Sequence, residues 1–236
     1  MAGTEILVSA ASSLTEVFKD IGAAFTASEH DLVRAQFNFS ASGILLQQIL
    51  AGAPVDVFAA ASPAEMDKLE NVGRLEPGTR VDFAANRLVL IVPRNGSGGV
   101  RGWADLSMAA VKHLAISTPA SVPSGRYAQA TLEKRGLWAG IQPRLVFGAN
   151  VRQTLAYVAA GDADAGIVFA TDAVAEKRVT AVAEATPGRD HLPILYPVAV
   201  LHDAPQSAAA RRFVTFLLSP AARQAFHRRG FLPPGR

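Results

Sequence analysis

Short apolar runs alternate with amphipathic stretches along the whole chain, and that alternation narrows the possible folds more than any other feature. Residues 6–10, 33–39, 55–59, 87–92, 114–117, 145–147, 165–169 and 179–182 read as strands, and 192–201 reads as extended. Between them, apolar side chains recur at helical spacing, first at Leu14, Val17, Phe18, Ile21 and Phe25. The same spacing predicts helices over 44–50, 62–72, 125–135, 151–160, 171–176, 207–218 and 220–229. Ser62-Pro63 supplies a cap residue followed by proline at the first helical position. Gly52, Gly73, Gly136 and Gly161 stand where helices stop. Asn95-Gly-Ser-Gly-Gly99 reads as a flexible loop after the strand that Pro93 ends.

Buried strands alternating with helices imply an α/β chain, with parallel sheets covered on both faces by helices. The chain is expected to cross between lobes near 78–85 and 193–197. Residues 84–196 then form a second lobe inserted into a first, discontinuous lobe made of 1–83 and 197–236.

Composition excludes several classes. A chain of 236 residues that is 50% hydrophobic can bury a core without covalent staples. With no cysteine, disulfides, thiolate metal sites and cysteine nucleophiles are excluded. No run approaches the ~20 apolar residues that a membrane-crossing helix needs. The net charge of +3 is spread along the chain, and its densest clusters, Arg211-Arg212 and His227-Arg228-Arg229, fall on an amphipathic helix pattern. A solvated helix face, not nucleic-acid binding, is the expectation there. Met1-Ala-Gly-Thr-Glu leads straight into the apolar run at Ile6, with no basic segment or cleavage site before it. This leaves open a cytosolic chain and a mature exported one.

One pattern points to chemistry. A strand ends in small or hydroxyl residues and a helix begins at once: Ser9-Ala-Ala-Ser-Ser13-Leu-Thr, Phe39-Ser-Ala-Ser42-Gly-Ile-Leu, Val122-Pro-Ser124-Gly-Arg-Tyr and Gly148-Ala-Asn150-Val151-Arg-Gln. The first turn of a helix has N–H groups without intrahelical acceptors, and the helix dipole adds partial positive charge there. An anion at that end meets donors already aimed at it. Any one of these starts is an ordinary cap, as Ser62 is expected to be. Several at strand ends match the edge where open α/β sheets take ligands.

Other motifs are incomplete. Gly96-Ser-Gly98-Gly-Val-Arg101 has Arg where a dinucleotide loop needs its third glycine. Phe39-Ser-Ala-Ser42-Gly lacks the first glycine of a nucleophile elbow. His30, His113, His191, His202 and His227 are widely separated and carry no metal spacing. Asp56, Asp162, Asp164 and Asp172 sit near turns and read as caps.

The ordered set of segments resembles the periplasmic molybdate-binding proteins over essentially the whole chain. It comprises the four starts above together with Ala51-Gly-Ala-Pro-Val-Asp56-Val-Phe, Gly166-Ile-Val-Phe-Ala-Thr-Asp-Ala173 and Tyr196-Pro-Val-Ala-Val200. The resemblance implies a two-lobed type II periplasmic binding protein fold with the ligand in the cleft between the lobes. It implies a non-enzymatic carrier of molybdate, and of tungstate, that delivers its anion to a membrane ABC permease. A periplasmic monomer with no cofactor, no bare metal ion and no nucleic-acid partner is expected. The anion would meet the hydroxyl and N–H of Ser13, the hydroxyl and N–H of Ser42, and the N–H groups of Ser124 and Val151. Where the family commonly has a tyrosine hydroxyl, this chain has Phe169, and the Ser124 hydroxyl is the expected substitute. Losing one charge-assisted bond from such a set weakens binding by about ten-fold. Arg126 and Arg152 flank the donors, as helix-surface groups or as long-range steering charges. A site for another, sulfate-like oxyanion is the alternative, and a serine hydrolase using Ser13 or Ser42 a more distant one.

Overall fold

A computed structural model describes residues 3–96 and 99–235, so Ser97 and Gly98, within the predicted 95–99 loop and the incomplete glycine motif, lie outside the described residues. The chain forms two compact units: one runs to Ala85 and resumes at Leu195, and the other is Asn86–Ile194.

In chain order, the first unit holds β1 (Thr4–Ala11), α1 (Thr15–Ser28), β2 (Val33–Ser40), α2 (Ser42–Leu50), β3 (Val57–Ala59), α3 (Pro63–Asn71) and β4 (Val81–Asn86). The second holds β5 (Leu88–Pro93), β6 (Leu114–Ser117), α4 (Pro123–Lys134), α5 (Trp138–Ile141), β7 (Leu145–Gly148), α6 (Val151–Ala160), β8 (Ala165–Phe169), α7 (Ala170–Ala175) and β9 (Val179–Glu184). The chain then returns through β10 (Ile194–Val200) to α8 (Ser207–Leu217) and α9 (Pro220–Arg228).

Each unit is built on a five-stranded sheet, ordered β2-β1-β3-β10-β4 in the first and β7-β6-β8-β5-β9 in the second. The parallel pairing expected of βαβ units holds around β1 and around β6. Beyond that the sheets are mixed. β10 is antiparallel to β3, and β5 is antiparallel to both β8 and β9. Strands that carry the chain out of one unit and into the other are not followed by a crossover helix in the same sheet, so nothing imposes parallel pairing on them. β4 was not anticipated. Val81-Asp-Phe-Ala-Ala-Asn86 lies at the end of the strand order and lacks the continuous apolar run that marks a central strand.

The core explains why β1 is apolar on both faces. Ile6, Val8 and Ala10 are fully buried, and Phe18 and Phe25 of α1 each pack edge-on against Phe213 of α8. Leu7 joins a separate cluster made by Leu45, Leu46 and Ile49 of α2 with Phe58, Met66 and Leu69. Burying each such side chain contributes roughly 1.5–3 kcal/mol. Asp56 is buried with its carboxylate accepting the Leu7 and Gln206 N–H groups, each at 2.7 Å. It fixes the entry of β3 beside β1 and the start of α8, a more distant tie than the local cap its position suggested.

Candidate functional site

In the first unit the site residues expected from the sequence cluster at the C-terminal ends of parallel strands. β1 and β2 end in register with Ala11 opposite Ser40, and Ser13 and Ser42 each lie two residues beyond that pair. After β1 the chain makes a short 3-10 turn, Ser12–Leu14, before α1. Ser13 is buried within it, and its Oγ lies 3.0 Å from the Tyr196 hydroxyl on β10.

Ser42 is the first residue of α2 and not its cap. Ala41 takes the cap position with an extended backbone, and no side chain closes the turn. The amides of Ile44 and Leu45 make the first bonds of the helix, to the Ala41 carbonyl at 3.0 Å, so the amides of Ser42 and Gly43 precede that ladder. The Ser42 Oγ, itself buried, accepts the Ala61 N–H at 3.1 Å from just beyond β3. Ser62 behaves as expected of a plain cap, its Oγ accepting the Ala64 N–H at 3.1 Å.

The second unit repeats the geometry with different chemistry. Ser117 and Gly148 end the paired strands β6 and β7 opposite one another. Ser124 is the second residue of α4, fully buried, and its amide is the one left ahead of the ladder, since Pro123 has no N–H and Gly125 and Arg126 already bond the Val122 carbonyl. Its hydroxyl donates to the Ser117 Oγ at 2.9 Å. Ser117 lies 2.9 Å from the Thr154 hydroxyl, which in turn donates to the Asn150 carbonyl at 3.2 Å. The Ser124 proton is thus committed inward and does not replace the hydroxyl missing at Phe169. Close approach is obligatory here: a Cβ at Gly125 would collide with the Ser117 carbonyl oxygen, and one at Gly148 would lie 2.5 Å from the Thr154 Oγ1.

Asn150 caps α6, accepting the Gln153 N–H at 3.0 Å, while the Gln153 side chain reaches back to the Ala149 N–H at 2.6 Å. This reciprocal arrangement leaves the amide of the buried Val151 ahead of the helix's own ladder, at the positive end of its dipole. Phe169 ends β8, is buried, and meets the Tyr127 ring edge-on at 6.3 Å. Arg152 is not a free surface charge: its Nε lies 3.0 Å from the fully buried Asp172 carboxylate. Burial pushes the Asp172 carboxyl up to about 6, although Arg152 and the Phe169 N–H both favour its charged form. Among the described residues no group of three or more metal-ligating side chains forms.

Sequence reasoning singled out Ser13, Ser42, Ser124, Val151 and Phe169, and the structure sets each at the C-terminal edge of its own sheet. It missed Tyr196, Ala61, Ser117, Thr154 and Asp172. A tyrosine inside the otherwise apolar β10 was the available signal, because a buried phenol requires a partner.

Residues 6–232 match the sequence profile of bacterial extracellular solute-binding proteins. The molybdate-binding protein ModA of Escherichia coli (strain K12) is 34% identical over 233 residues, spanning 96% of this chain and 88% of that protein. ModA of Haemophilus influenzae is 33% identical over 237 residues, spanning 98% and 91%. Among solved structures, the periplasmic molybdate-binding protein of Azotobacter vinelandii aligns with a TM-score of 0.85 at 26% identity, over 98% of this chain and 100% of that one.

Proposed function

The chain belongs to the bacterial extracellular solute-binding proteins, and from that membership we propose that it is the molybdate-binding component of an ABC importer. The anion takes the hydroxyl and N–H of Ser13, the hydroxyl and N–H of Ser42, and the N–H groups of Ser124 and Val151, with Phe169 as an apolar wall. The observation that carries the reading is the Ser42 hydroxyl. Its oxygen already accepts the Ala61 N–H, so what it has left to give is a proton.

Donors without acceptors select a fully deprotonated tetrahedral dianion. A protonated phosphate would bring an O–H with nothing to receive it, which costs affinity. Tungstate has the charge and nearly the size of molybdate and binds similarly. The protein works on the periplasmic side as a monomer and passes its anion to a membrane permease. It performs no reaction: the partners of the two hydroxyls, a phenol and an amide N–H, are not the base a nucleophilic serine needs.

Titration calorimetry with molybdate, tungstate, sulfate and phosphate tests this. Heat from molybdate and tungstate at the lowest concentrations is the expected result. Heat from sulfate alone, or from none of the four, would replace or remove the ligand assigned here.

A further inference from the structure

A hydroxyl can present its proton to an anion only if it does not spend that proton elsewhere. In the first unit the Ser42 hydroxyl is kept available by an amide that can only donate, the Ala61 N–H. The Ser13 hydroxyl faces a more ambiguous neighbour, the phenol of Tyr196 at 3.0 Å, in which either oxygen can act as donor. Two facts decide the direction. A phenol is a stronger acid than an aliphatic alcohol, hence the better donor of the two. A chain of hydroxyls that ends on a negative charge is also polarised toward that charge, each donor strengthening the next.

We propose that Tyr196 is a positioning residue: its phenol donates to the Ser13 Oγ and thereby turns the Ser13 proton toward the bound oxyanion. The role rests on the reading of Ser13 as an anion ligand. Tyr196 is built for a fixed direction. It is fully buried, with Phe231 edge-on at 5.5 Å and Phe83 at 6.2 Å, so its ring cannot swing away from Ser13. It comes from β10, and Ser13 from the turn after β1, 183 residues earlier in the chain. The hydroxyl's orientation is therefore set when β10 joins the sheet.

Tyr196→Phe keeps the ring and removes the donor. In otherwise wild-type protein it should weaken molybdate binding about five-fold, the effect of one neutral hydrogen bond. In a Ser13→Ala background the same change should leave affinity unaltered, because there is no longer a proton to direct. Equal weakening in both backgrounds, or none in either, overturns the role; a purely structural tyrosine gives the first of these. The infrared C–O stretch of Tyr196, isolated as a wild-type minus Tyr196→Phe difference, reads the polarity without ligand, and an acceptor signature overturns the proposal. If wild-type protein gives no molybdate heat, the ligand reading fails and the proposal falls with it. If wild-type binds, Ser13→Ala binds weakly and Tyr196→Phe binds normally, only the Tyr196 role fails.

Discussion

The two units end their paired parallel strands in the same way and use serine hydroxyls in opposite ways. In the first, the Ser42 Oγ accepts an amide N–H and the Ser13 Oγ shares a hydrogen bond with the Tyr196 phenol, so the Ser42 proton, and with the proposed polarity the Ser13 proton, remains to be given. In the second, Ser124 hands its proton to Ser117, and the series continues through Thr154 to a carbonyl. Similar strand-to-helix turns thus offer hydroxyls and amides in one unit, and amides alone in the other. The difference shows that a serine at a helix start has no chemical role of its own. Its role is set by what already occupies its oxygen. It also shows where Arg152 belongs: its charge is paired inside the second unit with a buried carboxylate and is not held in reserve for an anion.

The largest expected effect tests that last point. The folded protein holds the Asp172 proton more tightly than an unfolded chain does, since burial moves the carboxyl from 3.8 to about 6. A raised carboxyl favours folding below the unfolded value, and that contribution is lost as pH rises through the folded one. From below 3.8 to above about 6 the stability of wild type relative to Asp172→Asn should therefore fall by about 3 kcal/mol. Denaturant unfolding of both proteins across this range checks it, and a flat difference would mean that Arg152 fully compensates the carboxylate. Next in size is Ser42→Ala. Removing a hydroxyl that donates to a charged oxygen should weaken molybdate binding by about 2 kcal/mol, some thirty-fold, by calorimetry. Unchanged affinity would erase the distinction between the units.

Much of this arrangement was legible in the residue pattern, and the illegible part has one physical cause. The strand-to-helix turns at Ser13, Ser42, Ser124 and Val151 are local, so small residues at the end of an apolar run announce them. The plain caps Ser62 and Asn150 were equally readable. Hydroxyl direction was not, because it depends on partners brought in by the sheet: Tyr196 for Ser13, Ala61 for Ser42, Ser117 and Thr154 for Ser124. The buried Asp172 was read as a turn cap for the same reason, since Arg152 precedes it by a helix and a strand. β4 escaped because a strand at the end of the sheet order needs no continuous apolar run.

The two smallest effects sharpen the comparison most. Phe169→Tyr adds a hydroxyl to the second unit and should tighten molybdate binding by about ten-fold, read by calorimetry. No gain would mean that the new hydroxyl bonds elsewhere. Ser124→Ala then separates the units directly. The Ser124 amide survives the substitution, and the lost hydroxyl was donating to Ser117. Affinity should stay within about two-fold of wild type while stability falls by about 1 kcal/mol, because Ser117 loses a buried donor. The same change, serine to alanine at a helix start, should therefore register in the binding isotherm for Ser42 and in the unfolding curve for Ser124. A thirty-fold loss of affinity at Ser124, matching Ser42, would show that its hydroxyl turns outward when the anion arrives and that the two turns are chemically alike.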